Sequence, residues 1–526
     1  MHSGSSRTKV AAIPLKGALC ALYTVATLGV IAAAYPSTAR ADEPIKATEP
    51  SLMSEAGDVV EVVDAFDEKN KDPFDLHLSL GFVQSWESAK IKRESEIGPD
   101  GQPSTAGFTH NIENIATYKH TWSTLNLRAD IGIFHDLGFF FRVPLILADD
   151  RSLDDLDGSK SGVNAQFGRS SDTATGQPFF NLPFKSPTRS GVDYVAAGLR
   201  YSIFNQHRDS TKPTWTIELE GRFGVGEPMH ACNANASGGP QCPTPGAVTY
   251  NDAKGVWERN GNDGGRSPGI SRGTNAVKFG TLVSNRYRYV EPYGGFWFMA
   301  EFQKRDTDMG PSSGIDGVIT NHPPIQGGFI GGLMIHPWEN LENFQRFTID
   351  LRFKATYVSQ GRDYTAMFDA LGSSNASSLV APNPGSYTAG PLDATTGKPT
   401  SVGNFATKIP FTGVTDVEAH GIFGGQMAFI VQASKFFKFN AGFGFTYVQA
   451  HLVSSSDACN PDLSDRPSSE AGRCRNQTQS ASGGTSDTVT GIPNPYHRPN
   501  IDLPGRRFRV TEDFIWDAWV SGTVMF

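Results

Sequence analysis

Apolar and polar residues alternate along twelve stretches of the chain, and the last stretch shows the pattern most clearly. Between Phe514 and Phe526 one set of alternate positions is apolar and the other is mostly polar. Because successive side chains of a β-strand point to opposite faces, the pattern predicts strands with one apolar and one polar face. The predicted strands lie near residues 74–82, 125–133, 139–147, 195–203, 215–225, 277–289, 294–302, 329–335, 347–357, 427–433, 437–447 and 508–526.

The connections between these predicted strands are alternately short and long. The long ones cover about residues 87–111, 149–189, 227–275, 303–325, 360–417 and 453–506. Loops of this length are uncommon in a compact soluble domain. Their regular alternation with short turns predicts an antiparallel barrel that has turns at one end and loops at the other. The loops are poor in apolar residues, so we expect them to be partly disordered.

The chain resembles the outer-membrane β-barrel proteins of Gram-negative bacteria. The resemblance rests on the final alternating strand, which ends on the aromatic Phe526, and on the order of strands and loops. It implies a transmembrane antiparallel β-barrel of about 12 strands, surrounded by outer-membrane lipid, with its loops outside the cell and its turns in the periplasm. It also implies that the barrel-assembly machinery reads the last strand, with Trp516, Val524 and Phe526 as the assembly signal.

The N-terminal region has the features of a secretory signal peptide. Basic residues precede an apolar run over residues 17–35, and Ala39 and Ala41 supply the small residues that a signal peptidase needs. A transmembrane anchor is the alternative, but the cleavage motif follows the apolar run closely. We therefore expect a signal peptide over residues 1–41, a periplasmic N-terminal segment over 42–73 and the barrel over 74–526.

The segment 42–73 carries a short apolar pattern among acidic residues. Val59, Val60, Val63 and Phe66 lie at roughly helical spacing, which fits a short amphipathic helix; a solvated linker is the alternative. In the periplasm, this segment would plug the barrel or bind a periplasmic protein.

The composition agrees with strands that are apolar on one face only. Glycine (56 residues) and aromatic residues (11%) are abundant, while the mean hydropathy is only −0.32. The signal peptide contains four of the 46 Lys and Arg residues and no acid, so the mature chain has 42 bases against 54 acids and a net charge of −12. This acidic balance argues against nucleic acid as a partner.

The charged residues of the strands fall on the polar face. A basic residue on the lipid face costs about 2–4 kcal/mol at mid-membrane, so the polar face is expected to line the interior. The nearly balanced charges are compatible with a paired network that closes the interior or with a narrow polar pore that has little ion selectivity. The predicted pore-lining residues are Arg128, Asp130, Arg142, Arg200, Glu218, Glu220, Arg222, Asp350, Arg352, Lys354, Lys438 and Asp517.

The four cysteines of the mature chain lie in two of the long loops. Cys232 and Cys242 share one loop, and Cys459 and Cys474 share another. Outside the cytosol this arrangement predicts two intraloop disulfides. Zinc binding is the alternative, but no His or acidic pair completes a zinc-type spacing.

No catalytic motif stands out in the sequence. The histidines near strands lack the Asn and Ser pattern of outer-membrane phospholipases, and His451 has no acidic pair beside it as in omptin-type proteases. We therefore expect no catalytic residue, no cofactor and no metal. The leading hypothesis is a passive channel or transporter for small polar solutes. The alternatives are a non-conducting barrel that anchors a periplasmic partner through residues 42–73, and a surface-binding protein that acts through its loops.

Overall fold

The computed structural model describes residues 52–95, 111–156, 179–309, 322–457 and 492–526, with short gaps in all but the second range, and the segments 459–460, 475–479 and 485–489. The expected signal peptide and its cleavage site lie outside the described residues. Twelve antiparallel strands of this part of the chain form the wall of a barrel. They are β1 Leu76–Ser95, β2 Asn111–Phe134, β3 Leu137–Asp155, β4 Tyr194–Phe204, β5 Thr214–Gly224, β6 Thr274–Ser284, β7 Val290–Gln303, β8 Gln326–Asn340, β9 Gln345–Val358, β10 His420–Gln432, β11 Phe437–Val448 and β12 Phe508–Met525.

The barrel is closed by pairing between its last and first strands. Each strand pairs with its neighbours in chain order, and β12 then pairs with β1, with Val524 opposite Leu78 and Trp516 opposite Trp86. Closure leaves no open edge in the wall, which a membrane requires of a sheet. The predicted fold class and the predicted strand number are therefore confirmed.

The two ends of the barrel differ in their connections. Five short turns, such as the one between Phe134 and Leu137, lie at what we call the turn end. The long connections lie at the opposite end, which we call the loop end. The predicted alternation of short and long connections is thus confirmed.

The strand faces separate apolar from charged side chains. Large apolar residues such as Leu80 and Phe439 point outward and are 52% and 53% exposed, whereas the inward-facing Arg142 is 1% exposed. An apolar outer band around a polar interior is the arrangement of outer-membrane barrels. No helix in the described part of the chain is long and apolar enough to cross a membrane.

The first three strands extend beyond the predicted limits at the loop end. β1, β2 and β3 contain 20, 24 and 19 residues, whereas about 9–11 residues suffice to cross a membrane. Parts of the predicted loops 87–111 and 149–189 are therefore strand. These extensions were not predicted because the apolar residues change faces within them. Lys90 and Lys92 face outward, while Ala89 and Ile91 face inward and are buried.

The remaining elements are short and flank the barrel wall. The prediction of a helix in the N-terminal segment is wrong, because this segment forms small antiparallel strands. Among the described residues of the long connections there are two helices, α1 Phe368–Gly372 and α2 Pro499–Asp502. The small strands are Leu52–Glu55, Asp58–Val60, Ala65–Asp67, Asp72–Phe74, Phe184–Lys185, Arg189–Val192, Val248–Asn251, Val256–Arg259, Gly361–Asp363, Ala381–Pro382, Tyr387–Thr388, Asn404–Phe405, Lys408–Ile409, Thr415–Val417, His451–Leu452, Cys459–Asn460, Arg475–Gln479, Thr485–Val489 and Ile492–Pro493.

A charge placed on the outer face should destabilise the barrel according to its depth. Leu127 lies in the middle of the apolar band and Phe134 at the turn end. We expect Leu127→Arg to lower the free energy of unfolding by about 2–4 kcal/mol and Phe134→Arg by about 0–1 kcal/mol. Denaturant titration of the protein folded into lipid vesicles measures both values. Equal effects at the two positions would contradict the proposed band.

Candidate functional site in the barrel interior

Charged side chains cross the middle of the barrel interior in two groups, which together we call the charged belt. The first group comes from β2 to β5 and contains Arg128, Asp130, Arg142, Arg200, Glu218, Glu220 and Arg222; the second comes from β7 and β9 and contains Tyr293, Asp350 and Arg352. Alternate residues of a strand point to the same face of the sheet. These residues all occupy inward-facing positions on neighbouring strands, so their side chains meet inside the barrel.

Carboxylates connect the arginines of the first group. Asp130 accepts hydrogen bonds from Arg128 at 2.7 and 2.8 Å and lies 3.5 Å from Arg200, which also pairs with Glu218. Both guanidinium groups lie over the ring of Phe140, at 4.6 Å for Arg128 and 5.3 Å for Arg200. The aromatic face adds a favourable contact for both cations.

Glu220 forms a second junction in the same group. It accepts a hydrogen bond from Arg142 at 3.1 Å and pairs with Arg222. The two guanidinium groups also lie over the ring of Tyr194, at 5.6 and 5.0 Å. Glu220 and Arg142 are each only 1% exposed, so their charges depend on each other rather than on water.

The second group lies across the barrel from the first. The Tyr293 hydroxyl donates to Asp350 at 2.6 Å and accepts from Arg352 at 2.9 Å, and Arg352 also donates to Asp350 at 3.3 Å. Between the groups, Lys278 and Lys354 approach the ring of Trp297 at 5.9 and 5.0 Å. The belt therefore contains both signs of charge on both sides.

The predicted pore-lining residues all face inward, and most of them are buried. Glu218, Arg222, Lys354 and Asp517 are partly exposed, and Asp517 accepts a hydrogen bond from Ser85 at 2.6 Å. The fully buried ones are Arg128, Asp130, Arg142, Arg200, Glu220, Asp350, Arg352 and Lys438. The pore-lining role of these residues stays a prediction.

A short N-terminal segment occupies the interior at the turn end. This plug, residues 63–67, forms a two-way backbone pair between Ala65 and His135 at 3.1 and 2.9 Å. The Asp64 carboxylate accepts a hydrogen bond from Arg208 at 3.1 Å, and Arg208 also donates to Asp136 at 2.9 Å. The inward-facing Gly132 makes room for the plug, since a Cβ there would lie 1.8 Å from the Asp64 carbonyl oxygen.

Apolar residues of the described loop segments cluster inside the barrel wall near the loop end. This lid consists of residues 179–184, 366–374 and 499–502, and it packs against the inward faces of β1, β2, β3 and β12. Its core includes Phe179, Phe180, Met367, Leu371 and Ile501, all buried against wall residues that include Ile91, Tyr118 and Phe508. The expectation that the long loops are poor in apolar residues and partly disordered is therefore wrong for these described segments.

A buried ion pair connects the lid to a neighbouring loop. Arg189 donates to both oxygens of Asp369 on α1, at 2.6 and 3.0 Å, and to the His230 carbonyl at 3.0 Å. Asp369 also accepts from the backbone N–H of Cys232 at 2.9 Å. Cys232 is bonded to Cys242, so this predicted disulfide is confirmed. Cys474 lies outside the described residues, and the second predicted disulfide therefore stays a prediction.

Burial shifts the pKa of three titratable groups in and beside the lid toward the uncharged form. Burial raises the pKa of the Asp502 carboxyl to about 8, although the backbone N–H of Arg498 donates to it at 2.6 Å. Burial lowers the pKa of the neighbouring His497 imidazole to about 4. Burial also raises the pKa of Asp416, which accepts a hydrogen bond from the Ser456 hydroxyl at 2.8 Å.

The predicted assembly residues lie on the closing strand. Trp516 and Phe526 are exposed on the barrel exterior, and Val524 pairs with Phe437 on one side and Leu78 on the other. Their recognition by the assembly machinery stays a prediction. In the described part of the chain, no cluster of three or more His, Cys, Asp or Glu residues is arranged to hold a metal ion.

No protein-family model matches the chain, and no curated protein matches it significantly. Similar solved structures include a FadL homologue from Pseudomonas aeruginosa, with 8% identity, a TM-score of 0.29 and coverage of 85% of this chain and 90% of that chain. A TodX monoaromatic hydrocarbon channel mutant has 8% identity, a TM-score of 0.30 and coverage of 86% and 90%. The outer-membrane protease OmpT from Escherichia coli has 5% identity, a TM-score of 0.23 and coverage of 86% and 96%.

These similarities are too low to support a functional argument. The strand pairing and the apolar exterior of this chain are themselves those of a closed, twelve-stranded β-barrel of the outer-membrane type.

Removing the carboxylate of Glu220 should strongly destabilise the barrel. Glu220→Gln removes the shared counter-charge of the buried Arg142 and the partly exposed Arg222, which we expect to cost about 3–5 kcal/mol in the free energy of unfolding. The matched control is Asp154→Asn, which breaks the exposed pair with Lys119 and should change stability little. Adding Arg142→Gln to Glu220→Gln should recover part of the loss. Equal stability of the Glu220 and Asp154 variants in vesicle unfolding would contradict this.

The lid should loosen as the pH rises above 6.5. Between about pH 4 and 6.5 the closed lid binds an extra proton on Asp502 and one fewer on His497, so the two effects cancel. Between pH 6.5 and about 8 only the Asp502 effect remains, so closing weakens as the pH rises. Hydrogen exchange at the Leu371 and Ile501 amides, corrected for intrinsic rates, should therefore accelerate.

Asp502→Asn should make this exchange less dependent on pH, because the variant removes the carboxyl that binds the extra proton. Slower exchange of the wild-type Leu371 and Ile501 amides at pH 8 than at pH 6.5 would show that the predicted direction of the pH effect is wrong.

Proposed function

We propose that this protein is an outer-membrane transport barrel, described here in its closed state, and that its substrates are small polar solutes. The observation that carries the proposal is the charged belt between two separate closures, the plug and the lid. A packed interior made only for stability would be better served by apolar residues, because burying ion pairs rarely stabilises a protein. Charges of both signs suit the passage of polar solutes without strong selection for one ion sign.

The plug is suited to leave the interior reversibly. It contacts the wall through the backbone pair with His135 and the ion pair between Asp64 and Arg208, and Asp64 also exchanges hydrogen bonds with Asp75 just before β1. The Arg208 side chain is 28% exposed, so water reaches this ion pair. Val63 and Ala65 add a small apolar area. Few contacts of this kind are typical of segments that open locally.

The lid must also move for a solute to pass. Its apolar core packs against the inward face of the wall near the loop end. Because Arg189 and Asp369 join α1 to the disulfide-bonded loop, we expect the joined loop segments to move together. Passage would thus require two events, release of the plug and displacement of the lid.

The second candidate is a non-conducting barrel that anchors a periplasmic partner through residues 42–73. The specific observation in its favour is the burial of the charged belt, whose members are paired with one another. In this case, the belt would fill the interior permanently, and the exposed Phe66 beside Phe134 would belong to the binding surface.

An engineered disulfide that holds the plug in place, and that can be reduced again, tests the transport proposal. Ala65 and His135 are direct antiparallel partners, and such pairs have Cα atoms about 5.5 Å apart, which a disulfide can span. We expect discrete conductance steps of the refolded wild type in a planar bilayer, their loss in oxidised Ala65→Cys/His135→Cys, and their return on reduction. Wild-type protein treated with the same reductant is the control, because Cys232–Cys242 is also reducible.

A variant that releases the plug completes the test. Arg208→Ala removes the ion pair with Asp64, so we expect longer or more frequent openings. If neither the wild type nor Arg208→Ala conducts while both are folded and heat-modifiable, the transport proposal fails and the anchoring barrel is favoured.

A further inference from the structure

An aromatic groove runs along the outer face of the barrel where β11, β12 and β1 meet. Trp86, Phe445, Phe514 and Trp516 line it, together with Glu87 and Ser88. The rings pack side by side, with centroids 5.6 Å apart for Phe445 and Phe514 and 4.7 Å apart for Phe445 and Trp516. Trp86 and Trp516 are also direct partners across β1 and β12. The groove thus offers an apolar, rigid surface to a lipid chain.

Basic residues follow the groove toward the loop end. On β1, Lys90 and Lys92 continue the outward face of Trp86 and Ser88; on the neighbouring strands, Lys119 and Arg509 face the same side. Three acids lie beside them: Glu512 pairs with Lys90, Asp154 pairs with Lys119, and Glu94 pairs with a fifth cation, Arg507. These described residues, five cations and three carboxylates, give this basic patch an excess of two positive charges.

The pairing of β12 with β1 brings two of these cations face to face. Arg509 lies directly opposite Lys92, and the next outward pair is Thr511 with Lys90. Like charges directly opposite each other destabilise an antiparallel pair. Such a pair of facing cations is the arrangement expected where an anionic ligand binds between the two side chains.

We propose that the groove and the basic patch together bind one phosphorylated, multiply acylated glycolipid of the outer leaflet. An acyl chain would lie along Trp86, Phe514 and Trp516, and a headgroup phosphate would lie between Lys92 and Arg509. The phosphate position at Lys92 is six residues beyond Trp86, which is about 20 Å along a strand. This distance suits a lipid with a tall sugar headgroup, because its phosphates lie above the interfacial aromatic residues.

The site is separate from the charged belt and independent of transport. Its residues lie on the outer face, whereas the belt residues point inward. The ligand would also connect the two strands whose pairing closes the barrel, since Lys92 belongs to β1 and Arg509 to β12. A bound phosphate would turn the repulsion across this seam into attraction.

Lipid A with both phosphates, in phosphatidylcholine vesicles containing the refolded full chain, is the probe. Occupancy measured after mild detergent extraction by native mass spectrometry gives the binding curve. We expect Lys92→Ala and Arg509→Ala each to weaken binding about ten-fold, the value for loss of one charge-assisted hydrogen bond. The matched control is Lys212→Ala/Lys435→Ala, which removes cations beside Phe204 and Phe436 at the turn end and should leave binding unchanged.

Two further arms separate the phosphate and acyl contributions from a loss of folding. Dephosphorylated lipid A should bind the wild type as weakly as it binds the variants, and inorganic phosphate should not compete. Lys92→Glu should abolish binding without destabilising the barrel, because it places an opposite charge across from Arg509. Unchanged affinity in Lys92→Glu, or equal affinity of the wild type for phosphorylated and dephosphorylated lipid A, would overturn the proposal.

Discussion

The pairing of β12 with β1 is the constraint on which the rest of the structure depends. A sheet in lipid cannot leave its edge groups without partners, so the first and last strands must meet. Sixteen pairs of residues join them, from Phe508 opposite Arg93 to Met525 opposite His77. Once the ring is closed, the phase of every strand is fixed, and every inward charge must find its counter-charge inside.

The interior therefore combines three kinds of packing along the barrel. Near the turn end, a backbone segment lies on Gly132; in the middle, arginines and carboxylates pair over Phe140 and Tyr194; near the loop end, apolar residues meet α1. The order of these three layers matches β1, whose inward-facing side chains change from mostly polar to apolar at Ala89. The plug uses few contacts, whereas the middle of the barrel and the lid both include buried charge pairs that resist separation.

The sequence was sufficient to predict the barrel, its strand number and the inward phase of the charged residues, because alternation within a strand is a local property. The loop-end extensions of β1 to β3 could not be predicted, since their apolar residues face the lid rather than lipid. The partners of Asp369 could not be predicted either: Arg189 lies 180 residues away in sequence, and such a pair depends on the folded loops. The pairs Phe179-Phe180 and Met367-Phe368, within otherwise polar loops, were the available signal of a buried lid.

The plug is, in physical terms, a ligand tethered to its own receptor. Only eight residues of sequence separate Asp67 from Leu76, where β1 begins. A tether this short holds the plug at an effective concentration on the order of millimolar, so weak contacts are enough to keep the interior occupied. A free peptide of the same sequence would therefore compete poorly, whereas anything that pulls on the chain before residue 63 would empty the turn end without breaking a single strand pair of the barrel wall.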